Sequence, residues 1–143
     1  MASLTASLEN YLEAILEIEK EENEVKASKI AQRLSVSKAS VTEAMRTLGS
    51  KGLLNYAPYL AITLTDEGRA RAEKISTKHE VLYDFLINIL KIEKNEAIET
   101  ACKMEHVISE KILERLVKFL EFNKTHCAKE HGCNQLYEMF ENE

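Results

Sequence analysis

Helix-breaking residues are scarce in this chain, with one proline, Pro58, and four glycines among 143 residues. So few interruptions argue against a loop-rich or all-β protein and for one built mostly of helices. Cysteine is scarce too. Three thiols are an odd number and too few for a disulfide scaffold, so they are expected to be buried, metal-binding or redox-active. No apolar run approaches the roughly 18 residues that a membrane span needs. The opening stretch, MASLTASLENYLEAILEIEK, has neither a basic start nor an uninterrupted apolar centre. A secretory signal is therefore not expected, and a cytoplasmic location is.

What is present is a globular balance of 45% hydrophobic and 30% charged residues, enough for one ordinary domain or two small ones. The net charge of −5 argues at first against a nucleic-acid partner. The charge is uneven, however. Residues 25–58 carry Lys26, Lys29, Arg33, Lys38, Arg46 and Lys51 against a single acid, Glu43, and the rest of the chain is strongly acidic. A local basic patch on an acidic protein is compatible with DNA, because screening makes the local field the relevant one.

Hydrophobic spacing predicts an amphipathic helix over 4–22, through Leu8, Tyr11, Leu12, Ile15 and Ile18, with Glu9, Glu13 and Glu17 along its other edge. Two short helices follow, about 28–35 and 38–49, which Ser28 and Ser37 are placed to cap. Between them lies the short join LSVS, the pattern of a helix-turn-helix. Leu53–Tyr56 and Ala61–Leu64 then read as two strands with a turn at Ala57–Leu60. A hairpin in that place is a wing. From 66 to 91 one long helix is expected, with an apolar stripe through Ala72, Ile75, Leu82, Leu86 and Ile89 that His79 interrupts. A helix over 93–101 then runs on into one over 102–122, whose seam is Cys102, His106, Ser109, Leu113, Leu116 and Leu120.

Two groups of residues carry chemistry. On the second helix of the pair, Ser37, Lys38, Ser40, Thr42 and Arg46 are exposed groups suited to phosphates and base edges. Lys26 adds charge, and Tyr59 in the wing is in reach of the DNA backbone. The alternative is a protein–protein module with a solvated basic face. A lone winged helix reads DNA weakly, so a homodimer on two half-sites is expected. The second group is Cys102, Glu105 and His106, which share one helix face at i, i+3 and i+4 and make a surface for a divalent metal. His79, Asn10 and Glu13 are further candidates to converge on it. A thiolate favours Fe²⁺, Zn²⁺ or Co²⁺ over Mn²⁺. The alternative is a buried thiol beside a capping or salt-bridged Glu–His pair. In the tail, His126, Cys127, His131 and Cys133 are candidates for a second zinc or iron site, against the favoured alternative of a disordered tail.

Taken together, the stretches ENYLEAIL, KASKIAQRLSVSKASVTEAMRTLGSKGLL, LTDEGRARA, KHEVLYDFL and ACKMEHVIS followed by ERLVKFL resemble the diphtheria-toxin-repressor family of metal-dependent transcriptional regulators, which includes the manganese regulators. The resemblance covers most of residues 7–122. It implies a mainly α fold with a winged helix-turn-helix over 1–72 and an all-helical dimerisation and metal-binding domain, with its Cys/His tail, over 73–143. It implies that Cys102, Glu105 and His106 are ligands and that His79 belongs to the metal region. Manganese-type members carry a carboxylate at the place of Cys102, so the resemblance favours Fe²⁺ with Mn²⁺ second, and Zn²⁺ or Co²⁺ in vitro. Glu13 matches a manganese-type carboxylate ligand. Asn10 departs from both branches, which have Met or Asp there. Tyr83 and Ile98 replace the Glu and His of an ancillary iron-type site. The chain stops short of the SH3-like third domain of the iron type and resembles the two-domain regulators in length.

The expected function is a metal-activated repressor of metal homeostasis that binds a palindromic double-stranded operator as a homodimer. The expected mechanism has metal bridging the first helix to the 102–106 patch. Neither an enzyme, a membrane partner nor a small organic substrate is expected. The rival is a redox-sensing transcription factor that uses Cys102, Cys127 and Cys133 for thiol or Fe–S chemistry.

Overall fold

The computed structural model describes residues 3–127 and 138–140. Its elements are α1 (Ala6–Glu21), α2 (Ala27–Leu34), α3 (Lys38–Ser50), β1 (Leu54–Asn55), β2 (Thr63–Leu64), α4 (Asp66–Asp84), α5 (Lys94–Met104) and α6 (Glu110–His126). The chain is mainly α, and it forms two compact units, Met1–Ser76 and Thr77–Glu143, whose boundary falls inside α4.

In the first unit α1 starts at Thr5, whose hydroxyl accepts from Leu8 N–H. It buries Leu12, Ile15 and Leu16 almost completely. Ile30 of α2, Val41, Met45 and Leu48 of α3, and Leu53 complete one apolar cluster with them. Ser28 does not cap α2. The helix begins a residue earlier, with Lys26 at the cap position and no side-chain cap bond, because the amides of Lys29 and Ile30 already reach Lys26 C=O. α2 stops at Ser35, which is left-handed at φ 53° and ends the helix through bonds to Ala31 and Gln32 C=O. Ser37 caps α3 as expected, its hydroxyl accepting from Ser40 N–H at 3.1 Å.

The wing is shorter than its sequence pattern. β1 and β2 pair antiparallel only at Leu54↔Leu64 and Asn55↔Thr63. Beyond that, Ile62 N–H bonds to Val25 C=O instead of to β1, Leu60 N–H closes a turn onto Ala57 C=O, and Tyr59 takes φ 65°. The start of α4 is seated on the same region. Thr65 Oγ1 accepts from Gly68 N–H and donates to Gly52 C=O. Gly68 packs so closely that a Cβ there would sit 1.9 Å from Leu53 C=O.

The second unit holds the rest of α4, a π-helical turn at Phe85–Ile89, α5 and α6. Its core gathers Leu82 and Leu86 against Ala97 and Ala101, with Met104, Ile108 and Leu116 at the margin. The expected 66–91 helix therefore does not stay α-helical to its end. Leu90 N–H bonds to Phe85 C=O five residues back, and Lys91 at φ 55° ends the run.

The expected continuity from 102 to 122 also fails. α5 ends with Glu105 at its cap, residues 106–109 form a turn, and Ser109 is extended (φ −77°, ψ 155°), accepting from Ile112 N–H as the cap of α6. The seam misled because Glu105 keeps helical angles and both Val107 and Ile108 bond back to Met104 C=O. The three-and-four spacing thus runs unbroken across a real helix end.

Candidate metal centre and nucleic-acid interface

In the second unit, His79 on α4 faces Cys102 on α5 and Glu105 at the α5 cap. His79 Nδ1 lies 2.8 Å from Glu105 Oε2 and 3.6 Å from Cys102 Sγ. One candidate ligand atom from each of the three falls within 4.8 Å of the others. Glu105 is 1% exposed, the one charged side chain buried among the described residues. Its Oε1 is buried with no hydrogen-bond partner. An acceptor of this kind is costly unless something cationic satisfies it. His106 Nε2 approaches that same oxygen at 3.4 Å. A thiol, an imidazole and a carboxylate gathered within 4.8 Å, with one carboxylate oxygen buried and without a hydrogen bond, form a donor set that fits a first-row divalent ion.

The expected trio is thus regrouped. Cys102 and Glu105 converge as the spacing implied, but the third member of the tight group is His79, with His106 lying against Glu105 alone. The α5–α6 break is the reason, since His106 leaves the helix at the turn. Tyr83 lies parallel to the His79 ring, with centroids 6.4 Å apart, and Ile98 is partly exposed on α5. Asn10 (exposed) and Glu13 (half-buried) lie on α1 in the first unit. His126 stacks on Phe122 in the last turn of α6, with centroids 3.9 Å apart, and Cys127 follows at the cap. His131 and Cys133 lie outside the described residues.

One feature of the second unit went unread in the sequence. Lys78, the neighbour of His79, donates to Ile108 C=O at 3.4 Å and lies 3.2 Å from Glu110 Oε1. Nothing in the spacing of a lone lysine signals such a contact.

In the first unit, Ser37, Lys38, Ser40 and Arg46 are exposed on α3 and Thr42 is half-buried. Two of the hydroxyls are already engaged with backbone: Ser37 caps α3, and Thr42 Oγ1 donates to Lys38 C=O. Tyr59 is fully exposed at the wing tip and Leu60 is 69% exposed. The basic stretch is less free than its composition implied. Arg33 bridges Glu17 and Glu21, Lys29 pairs with Glu22, and Lys26 lies 3.5 Å from Glu24. Lys38, Arg46 and Lys51 enter none of these pairs.

Comparison with known proteins decides what these two sites belong to. Residues 3–62 match the family model described as iron dependent repressor, N-terminal DNA binding domain. Residues 65–135 match iron dependent repressor, metal binding and dimerisation domain. The chain belongs to the iron-dependent repressor family. Family members are DNA-binding, metal-dependent transcriptional repressors rather than enzymes. An uncharacterized HTH-type transcriptional regulator of Methanocaldococcus jannaschii is 40% identical to this family member over 119 residues, 82% of this chain and 95% of that protein. The iron-dependent repressor IdeR of Mycobacterium tuberculosis is 33% identical over 120 residues, 84% of this chain. The chain spans about half of IdeR's length, 52%. A solved manganese-dependent transcriptional repressor in complex with manganese matches with a TM-score of 0.74 at 30% identity, over 80% of this chain and 53% of that one. No helix among the described residues is long and apolar enough to cross a membrane.

Proposed function

We propose that this chain is a metal-activated transcriptional repressor that binds a double-stranded operator as a homodimer in the cytoplasm and acts in metal homeostasis. The observation that carries the metal reading is the buried Oε1 of Glu105, which accepts no hydrogen bond, beside His79 and Cys102. These three residues, with His106 against Glu105, would hold the ion. When bound, the ion supplies the positive charge that this buried carboxylate lacks. The chain's own part is to present a carboxylate shielded from solvent, an imidazole held by it, and a thiol that gives up its proton on coordination. Asn10 and Glu13, in the other unit, enter the proposal only through the family resemblance.

Fe²⁺ is favoured because Cys102 is a soft ligand where manganese-type members have a carboxylate. Among the relatives, some are named for iron and others for manganese. For DNA, the support is the α3 face, with Lys38 and Arg46 for phosphates and Ser40 among the groups in reach of bases. Dimerisation is supported by the small core of the second unit and by apolar side chains it leaves exposed, among them Ile112 at 57% and Phe122 at 59%. Coupling arises if the ion binds the DNA-competent state more tightly, and operator DNA must then raise metal affinity by the same factor.

The thiol or Fe–S alternative has nothing to favour it. Cys102 forms no disulfide and sits in a mixed His, Cys and carboxylate group, not in a set of thiolates. The test is anaerobic: select DNA from a random pool with Fe²⁺ present, then measure binding of the winners with Fe²⁺, with Mn²⁺ and with excess chelator. Metal-dependent binding is the expected result. Equal binding under all three conditions overturns the proposal.

A further inference from the structure

We infer that Lys78 is a positioning residue for the metal centre, one that holds the ligand-bearing turn between α5 and α6 against α4. The inference rests on the reading of His79, Cys102 and Glu105 as a metal site. Consecutive residues on a helix point about 100° apart, so Lys78 and His79 can grip two separate points of a neighbouring segment. Here they grip the two ends of one turn. His79 meets Glu105 at its start, at 2.8 Å. Lys78 meets its end, donating to Ile108 C=O at 3.4 Å and lying 3.2 Å from Glu110 Oε1, the first residue of α6.

The grip matters because this turn joins α5 to α6 and sets where the ligand side chains at its start stand. It lies outside both helices, and it carries Glu105 and His106. Val107 is 83% exposed, so the middle of the turn makes little apolar contact. Its internal bonds run from Val107 and Ile108 N–H to the same Met104 C=O. Lys78 is therefore a tie from α4 to the far side of the turn. Its side chain is 16% exposed, far more sequestered than the surface lysines Lys26 and Lys103 at 63% and 73%. A long cation is ordered to that degree only where its charge and stem are both engaged. A charge-assisted bond to a backbone carbonyl fixes the path of the backbone itself, so the tie acts on both ligand side chains at once. Outer-shell partners of this kind typically change metal affinity by about 10–100-fold when removed.

The test uses the full chain with Co²⁺ as a spectroscopic probe under anaerobic conditions. Wild type, Lys78→Met, Lys78→Arg and Cys102→Ala are titrated, following the thiolate-to-cobalt charge-transfer band and the d–d bands. Hydrogen exchange at 105–109 is measured on the metal-free proteins. Lys78→Met is expected to weaken Co²⁺ binding about tenfold, to alter the d–d bands and to speed exchange in the turn, with helix content by circular dichroism unchanged. Lys78→Arg, which keeps a cationic donor, is expected to restore most of the affinity. If wild type shows no cysteine-dependent band, the metal reading itself fails. If wild type shows the band and Lys78→Met binds with the same affinity and spectrum, the metal reading stands and the role of Lys78 is overturned. If Lys78→Met loses affinity only together with helix content, or Lys78→Arg gives no rescue, the positioning role is overturned as well.

Discussion

His79 and Glu105 are separated by 26 residues in the chain and by 2.8 Å in space, with the Glu105 carboxylate sealed from solvent. One of its oxygens is spent on the imidazole and the other has no hydrogen-bond partner. Glu105→Gln keeps the shape and the bond to His79 but removes the charge. We expect it to lower metal affinity by more than the roughly 10–100-fold typical of outer-shell changes, because a ligand is removed rather than a support. The metal-free protein should melt within a few degrees of wild type. Isothermal calorimetry with Fe²⁺ and a thermal scan of the apo form check both parts. Cys102→Glu should shift the preference the other way along the ligand-softness scale, raising Mn²⁺ affinity relative to Fe²⁺ in the same titration.

Paired and unpaired cations should separate in DNA binding. Arg46 and Lys38 are exposed and outside the α1–α2 ion pairs, whereas Lys29 is bound to Glu22 at 2.9 Å. Arg46→Ala or Lys38→Ala should each reduce the slope of log affinity against log salt by about 1. Lys29→Ala should leave the slope near its wild-type value. Fluorescence anisotropy on a selected operator over a salt series measures this, and equal slopes for all three variants would contradict it.

Gly68 is a packing requirement. A Cβ at this position would stand 1.9 Å from Leu53 C=O, which is backbone and has little freedom to retreat. Gly68→Ala should cost about 1–3 kcal/mol in the stability of the first unit. Usually alanine favours a helix over glycine by about 1 kcal/mol, so the sign here is opposite to the propensity rule. A urea melt reads the difference, and a stabilised variant would mean that α4 does not sit on Leu53 in solution.

The Arg33 clamp between α1 and α2 has a pH signature. The hydrogen bond from Arg33 holds the Glu21 carboxyl below its usual range; partial desolvation opposes it, and the charge of Arg33 adds a smaller pull in the same direction as the bond. A carboxyl with a lowered folded pKa contributes stability above the ordinary carboxylate range and loses it as pH falls through the folded value. Both partners are surface groups, so the contribution is small. Arg33→Gln should therefore melt below wild type at neutral pH, and the two curves should merge in acid. A gap that widened in acid would refute the sign.

Much of the first unit was legible because its signals are local. Ser37 followed by Ser40, the apolar spacing of Val41, Ala44, Met45 and Leu48, and the short LSVS join all act within one or two helical turns, where hydrogen bonding and burial follow sequence distance. The differences there were of one or two residues, as at Ser28 where the cap is Lys26, or concerned competition for a single amide, as when Ile62 bonded to Val25 instead of to the wing. The sequence by itself determined the helical class, the winged helix-turn-helix and the nearness of Cys102 to Glu105 on α5. Only tertiary structure decided which residues share a site. His79 joins Glu105 because α4 packs on α5, a choice made by burying Leu82 and Leu86 against Ala97 and Ala101 rather than by any spacing within the chain. Tertiary structure also ended α5 at Glu105, where the three-and-four pattern continues through a turn without a mark. Periodicity reports which face of a segment is apolar, but it does not report where the backbone stops being a helix or what packs against the polar side chains left at that end.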